Sequence, residues 1–335
     1  MTRKSLLRAL GLLFAFTLLA AACGDDDSSD EATDAGEGLG GAIVISGSST
    51  VEPISVAVAE NYRGLQPDVN VSVTGPGTGD GFKAFCAGET DISDASRQIK
   101  DEEAENCASN GINYVELKVG VDGIAVMTSA ENTAVECLSF PDLYALVGPE
   151  STGFGNWSDA NAIASELGSD GALPDAELVI LAPGTESGTY DSFIEIALED
   201  IAGERGQDAT TRPDYSSAAD DNVIIETIAS NPTSFGWVGF AFAAEASGVN
   251  LLPISEAPGG DCVIPTPETI ASNEYPIARD LFIYVNSDKA AENPALVDFV
   301  DHYMGFGLDE AASNVGYVAL TDDAKGATRG AWDGR

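Results

Sequence analysis

The chain has 335 residues, 44% of them hydrophobic, and its 15 basic and 55 acidic side chains give a formal charge of −40. That length is enough for two lobes, each with its own core. The charge excludes a nucleic-acid partner held through a basic footprint and docking on an anionic lipid surface by charge alone; acidity of this degree serves solubility or salt adaptation at least as readily as function.

Residues 1–22 have the layout of an export signal. Arg3, Lys4 and Arg8 form a charged start, the stretch from Leu6 to Ala22 is almost wholly apolar, and Ala20-Ala21-Ala22-Cys23-Gly24 supplies the small residues of a processing site. The span is too short for a membrane helix. With Cys23 directly after the small residues it resembles a bacterial lipoprotein signal, which implies acylation of Cys23; Ala20 stands where that pattern more often has Leu. Residues 23–40 follow as a flexible tether: between Gly24 and Gly40 there are seven acids, no base and one large apolar side chain, too little apolar surface to fold. Losing Arg3, Lys4 and Arg8 with the signal leaves 12 of the 15 bases against 55 acids, a formal charge of −43.

From Gly41 onward strands and helices alternate. Ala42–Ile45 reads as a strand, followed by Ser46-Gly47-Ser48-Ser49-Thr50-Val51-Glu52-Pro53, with Pro53 in the first turn of a helix over Ile54–Leu65. Val69–Val73 is a second strand, closed by the loop Gly75-Pro76-Gly77-Thr78-Gly79-Asp80-Gly81 that leads into a helix at Phe82–Phe85. Ser93-Asp94-Ala95-Ser96-Arg97 follows a further strand, Asp101–Asn110 is an acidic helix stopped by Gly111, and Ile112–Val119 and Gly123–Met127 are strands. Ser139-Phe140-Pro141-Asp142 is a capped start to a helix through Leu146, and Asp159–Leu167 is another helix. The strand Leu178–Leu181 runs into Gly184-Thr185-Glu186-Ser187-Gly188-Thr189, whose helix continues over Tyr190–Leu198. Asn222–Ala229 reads as a helix, Phe235–Phe240 as a strand, Leu281–Val285 as a strand returning to the first lobe, and Pro294–Met304 as the final helix. Such alternation argues for α/β layers with ligand loops at the strand ends.

The hydroxyl-rich segments stand where strands run into helices. Each offers hydroxyls and free backbone N–H groups at a helix N-terminus, the arrangement that binds oxyanions. Any one of them alone would be an ordinary helix cap; together they can surround one tetrahedral anion, held by local hydrogen bonds against an unfavourable global field. Cys86, Cys107, Cys137 and Cys262 are an even set in an exported chain and read as two disulfides. Cys86 closes one short helix and Cys107 lies in the next, which pairs them and leaves Cys137 for Cys262. There is no CxxC spacing and His302 is the lone histidine, so no metal site is expected.

Enzyme readings lack their parts. Gly184-Thr185-Glu186-Ser187-Gly188 places its Ser one residue too late for a nucleophile elbow, and His302 lies in an amphipathic helical segment with Phe299 and Tyr303. Carboxylate pairs among 55 acids are expected without function. No cofactor is implied.

Gly-Ser-Ser-Thr-Val-Glu-Pro, the block from Phe85 to Lys100, Val121-Asp122-Gly123-Ile124-Ala125-Val126 and the block from Pro183 to Phe193 resemble, in order and spacing, the substrate-binding proteins of bacterial phosphate ABC transporters. The likeness runs from about Ile43 to Phe299. It implies a two-lobed type II periplasmic-binding fold, two α/β domains (41–124 with 282–335, and 125–281) joined by a hinge of two chain crossings near Gly120–Thr128 and Ala278–Val285. It also implies a monomeric extracytoplasmic receptor, anchored by lipid to the outer face of the cell membrane, that gives inorganic phosphate to permease subunits. A receptor for sulfate, or an adhesin or phosphate-storing protein without a transporter, are the alternatives.

Carried over by position, the resemblance puts Ser49, Thr50 and the Val51 amide at the first anion contact, Thr78 in the glycine loop, and Ser187, Gly188 and Thr189 at the helix start of the opposite lobe. Many relatives have Arg shortly before the Ser-Gly-Thr, where this chain has Ala182-Pro183, and Asp where Ser96 falls. Arg97, beside Ser96, is the expected cation, since a guanidinium binds phosphate in a planar bidentate manner; as a single Arg it also fits a solvated surface charge. Asp94 is open between a helix-entry residue and the acceptor of a phosphate proton. Glu186 is expected to orient Arg97 across the cleft.

Overall fold

A computed structural model of the chain describes residues 38–169, 172–185 and 187–335; Cys23, the signal and nearly all of the tether lie outside the described residues. The first lobe opens with parallel strands β1 (Gly41–Gly47), β2 (Val69–Thr74) and β3 (Ile92–Ala95), separated by helices α1 (Glu52–Arg63) and α2 (Thr78–Cys86). Pro53 does stand in the first turn of α1, where its missing N–H costs nothing. All four residues of β3 are buried, as parallel strands covered on both faces are. Helix α3 (Asp101–Ser109) ends before Gly111, whose φ of 71° is a left-handed conformation that glycine adopts without strain.

The long strand β4 (Tyr114–Ser129) joins the halves of the molecule. Nine of its first ten residues pair antiparallel with the last long strand, Ala278–Asn286, the register shifting at Val119, and Ile124–Thr128 pair with residues 235–239. The sequence reading splits this strand at Gly120 to Asp122. The strand runs through both glycines, and Gly123 makes room for a neighbour: a Cβ there would come within 2.8 Å of Ile270. Between β4 and the returning strand lie β5 (Leu138–Ser139), β6 (Val179–Ala182), β7 (Ser216–Ser217), β8 (Ser234–Gly239), β9 (Val249–Leu251) and β10 (Ile254–Ser255), which makes the returning strand β11 (Ala278–Asn286). The nine-stranded sheet has the order β2-β1-β3-β11-β4-β8-β6-β7, with β9 also on β4, and β5 pairs separately with β10. Strand β4 pairs with β11 through its first part and with β8 and β9 through its last residues.

Helix α4 (Phe140–Val147) starts as expected: the Ser139 hydroxyl accepts from the Asp142 N–H at 3.3 Å, while the Asp142 carboxylate accepts from the Ser139 N–H at 2.9 Å. A 3₁₀ turn at Trp157–Ala160 precedes α5 (Asn161–Glu166), and α6 (Gly188–Ala197) follows the third hydroxyl segment. Behind α6, Phe193 stacks on Trp237 with ring centroids 4.2 Å apart, and Trp157 meets Phe235 edge-on at 5.5 Å. These rings fill the second lobe's core, each burial worth about 1.5–3 kcal/mol. Two features differ from the sequence reading at the C-terminus. The helix from Pro294 ends at His302 and continues as a wider π-helix over Tyr303–Ala311, and a further helix covers Asp322–Asp333. Gly326 and Gly330 weaken the helical signal of that segment; it is held instead by Trp332, whose Nε1 donates to Asp301 at 2.6 Å, and by Thr328, which donates to the Lys118 carbonyl at 3.0 Å.

Cys86 is bonded to Cys107 and Cys137 to Cys262, the pairing the sequence suggests. The second bond spans 125 residues, and closing a loop of that length constrains the unfolded chain most. Non-reducing peptide mapping should recover both pairs, and the Cys137→Ala/Cys262→Ala variant should lose about 2–4 kcal/mol in denaturant unfolding; recovery of Cys86 joined to Cys137 would refute the pairing.

Candidate functional site

The first hydroxyl segment is the turn between β1 and α1. The Ser48 N–H donates to the Asp94 carbonyl at 2.8 Å, the Thr50 N–H to Ser48 Oγ at 3.2 Å, and the Val51 and Glu52 N–H groups to the Ser48 carbonyl at 3.2 and 3.0 Å. The expected Val51 amide is therefore spent within the turn, and Thr50 offers its side chain instead. The turn can pack this tightly because Gly81 lies against Gly47: a Cβ on Gly81 would come within 2.4 Å of the Gly47 Cα.

The third segment meets the first. Ser187 caps α6 by accepting from the Thr189 N–H at 3.2 Å, and a Cβ on Gly188 would lie 3.9 Å from the Ser49 carbonyl and the Thr50 Cα. One turn into α6, Ser192 Oγ is 3.3 Å from Thr50 Oγ1. Glu186 is outside the described residues.

The second and glycine-loop segments meet each other. Thr78 opens α2, its Oγ1 lies 3.0 Å from Ser96 Oγ and accepts from the Ser96 N–H at 3.2 Å. Arg97 is beside them, but both of its terminal nitrogens donate to Glu103 at 2.8 Å, one also donates to the Gln98 carbonyl at 3.0 Å, and the guanidinium sits 5.5 Å above the Phe82 ring. Glu103 holds its pKa above the ordinary value.

A second guanidinium, absent from the sequence reading, reaches the centre of the cleft. Arg279 lies at the start of β11 and donates through Nη2 to Thr50 Oγ1 at 2.9 Å and to Ser192 Oγ, and through Nη1 to Glu195. Its Nε stands 3.6 Å from Asp122 Oδ2, and neither atom has a hydrogen-bond partner among the described residues. The Asp122 side chain is 4% exposed, and burial pushes its carboxyl pKa up, against the pull of Arg279 and Ser192. Tyr317 closes this floor by donating to the Thr50 carbonyl at 2.6 Å. Arg279, Ser96, Arg97, Lys100, Thr78, Glu195 and Glu199 line a common cleft of about 580 Å³. A cavity of similar size, about 620 Å³, lined by Leu39, Ala290, Pro294 and Val297 among others, contains none of the hydroxyl segments.

Asp94, the other candidate acceptor, belongs to the core. It is fully buried on β3, accepts from Ser55 Oγ at 2.9 Å, and Ser55 in turn lies 3.1 Å from the Tyr303 hydroxyl. Burial, opposed by Ser55 and assisted by the nearby Glu52, raises its pKa to about 7. Among the described residues no group of three or more His, Cys, Asp or Glu could hold a metal ion, and no helix is long and apolar enough to cross a membrane.

Residues 28–305 match the family model of the PBP superfamily domain. The chain belongs to the PBP superfamily. It is 36% identical to Protein SphX of Synechocystis over 84% of this chain and 79% of that one, and 32% identical to the phosphate-binding protein PstS of Staphylococcus haemolyticus over 90% and 89%. Among solved structures it is similar to a "possible phosphate binding protein" from Planctomyces limnophilus, with a TM-score of 0.79 and 33% identity over 88% of this chain and 99% of that one. Arg279 joins the two groups of hydroxyls: it lines the 580 Å³ cleft with Thr78 and Ser96, and it donates to Thr50 and Ser192, which are not lining residues of that cleft.

Arg279 and two groups in contact with it were visible only indirectly in the sequence. Asp122 is a carboxylate set in the apolar run of β4, Ser192 is one turn beyond the hydroxyl segment 184–189, and Arg279 is one of 15 basic residues. A buried charge in a strand was the available signal.

The raised Asp94 pKa makes a stability prediction. A carboxyl whose folded pKa of about 7 exceeds its unfolded value stabilises the fold fully below the unfolded pKa, and that contribution is lost as pH rises from about 4 through 7. Asp94→Asn should flatten this fall by on the order of a few kcal/mol, read as the difference between variant and wild type in denaturant unfolding at pH 4.5 and pH 8. An identical slope in both proteins would show that Asp94 is ionised throughout.

Proposed function

We propose that this chain is an extracytoplasmic receptor that binds inorganic phosphate between its lobes and delivers it to the permease subunits of an ABC-type importer. In this reading it acts as a monomer, carries out no enzymatic chemistry and is held at the cell membrane by lipid on Cys23. The observation that carries it is the ion pair of Arg279 Nε and Asp122 Oδ2, which stand 3.6 Å apart and, among the described residues, leave a donor and an acceptor without a hydrogen bond. The complement to that pair is an oxyanion that accepts one hydrogen bond and donates another. Near neutral pH phosphate keeps a proton and can do both; sulfate has none to give.

The remaining contacts follow from the same geometry. Thr50, Ser192 and the N-terminus of α6 at Ser187, Gly188 and Thr189 supply further donors, and Ser49, Thr78, Ser96 and Arg97 complete the walls. Helix N-termini favour anions by their unpaired N–H groups and dipole. An anion touching Thr50 and Ser192 together rewards the closed arrangement of the two lobes. The phosphate-binding names of the curated relatives support the substrate, and the export layout of residues 1–23 supports the location.

Calorimetric titration of ligand-stripped protein with phosphate, sulfate and arsenate tests the reading. Phosphate should bind far more tightly than sulfate. Arg279→Ala should weaken phosphate on the order of 10²–10³-fold, the effect of removing one member of a desolvated charged contact, and more than Arg97→Ala does. Asp122→Asn should narrow the phosphate-to-sulfate ratio more than it lowers phosphate affinity; a ratio unchanged in that variant would remove Asp122 from the role of proton acceptor. Anchoring has its own test: Cys23→Ala should move the protein from the membrane fraction to the soluble fraction, and unchanged partitioning would contradict the lipid anchor.

A further inference from the structure

Arg279 is engaged by three kinds of partner, and they differ in how easily they leave. Thr50, Ser192 and Asp122 are buried. Glu195, which accepts from Nη1, has a side chain 51% exposed against 13% for Arg279 itself. It stands on α6 three residues beyond Ser192 and lines the cleft beside Glu199. Carboxylate and phosphate recognise a guanidinium by the same charge-assisted hydrogen bonds, so they compete for its donors.

We propose that Glu195 is a built-in competitor for the anion, an affinity-setting residue that occupies the Nη1 donor of Arg279 in the ligand-free protein. The inference rests on the phosphate reading. Entry of the anion either displaces the carboxylate toward solvent, which its half-exposed position permits, or leaves it close enough to repel the ligand. In both cases Glu195 lowers affinity, and its return to Nη1 favours release. It also adds a second carboxylate to Asp122 as counter-charge for a largely buried guanidinium.

The test compares two neutralisations that change the net charge equally. Glu195→Gln removes the competing charge and keeps an amide oxygen for Nη1. Glu199→Gln neutralises a carboxylate on the same cleft wall that, among the described residues, is not an ion-pair partner of Arg279. Phosphate titrated calorimetrically into the stripped proteins should bind Glu195→Gln about 10-fold more tightly than wild type, close to 1.4 kcal/mol, and Glu199→Gln within about 2-fold of wild type, the scale of a screened cleft charge. Phosphate binding unchanged or weakened in Glu195→Gln would overturn the inference and leave the phosphate reading standing. Equal tightening in both variants would overturn it too, by assigning the effect to the general field. If neither the wild type nor the variants bind phosphate, the phosphate reading fails and this inference falls with it.

Discussion

The cleft depends on where one guanidinium is held. Arg279 sits on a strand that crosses between lobes, so its position is fixed by the pairing of β11 with β4 rather than by a loop: its register partner on β4 is Asp122. From there it reaches Thr50 at the start of α1 and Ser192 on α6. Two helix N-terminal regions from opposite lobes are thereby tied to one cation that belongs to the hinge. Any movement of the lobes about β4 and β11 has to be paid in these contacts, or compensated by a ligand that replaces them.

This placement answers the problem set by a formal charge of −40. Screening limits the reach of surface charges to roughly 8 Å at physiological salt, while buried groups are screened much less. A cation 13% exposed at the floor of a cleft can therefore dominate locally over many acids spread on the surface. Arg97 is the contrasting case. It lines the same cleft, yet Glu103 takes both of its terminal nitrogens, so its charge is largely answered before any ligand arrives.

The order of strands and helices, the disulfide pairs and the meeting of the hydroxyl segments were legible in the sequence, and the elements have local causes: Pro53 in a first helical turn, Ser139 as a cap, Gly111 as a stop. The partners of those segments were less so. Whether the Val51 amide faces a ligand or the Ser48 carbonyl is decided by how the turn packs under Gly47 and Gly81, and the engagement of Arg97 is decided by a capping glutamate on α3. Arg279 lies 229 residues from Thr50. No local pattern announces such a pair, and only the strand register brings it about.

The two buried carboxylates show most directly why chemistry cannot be assigned from residue type and neighbourhood in sequence. Asp94 lies two residues from Ser96, inside a segment that does line the cleft, and Asp122 lies in the middle of an apolar strand. Both are buried, and burial raises the pKa of each. Yet strand alternation sends successive side chains to opposite faces, so Asp94 turns away from Ser93 and Ala95 toward Ser55, whose hydroxyl donates to one carboxylate oxygen while the other has no hydrogen-bond partner among the described residues. A carboxyl in that setting is stabilised by keeping its proton. Asp122 instead faces Arg279, whose positive charge favours the ionised form. Of the two, only Asp122 has a guanidinium beside it to oppose the burial that raises its pKa.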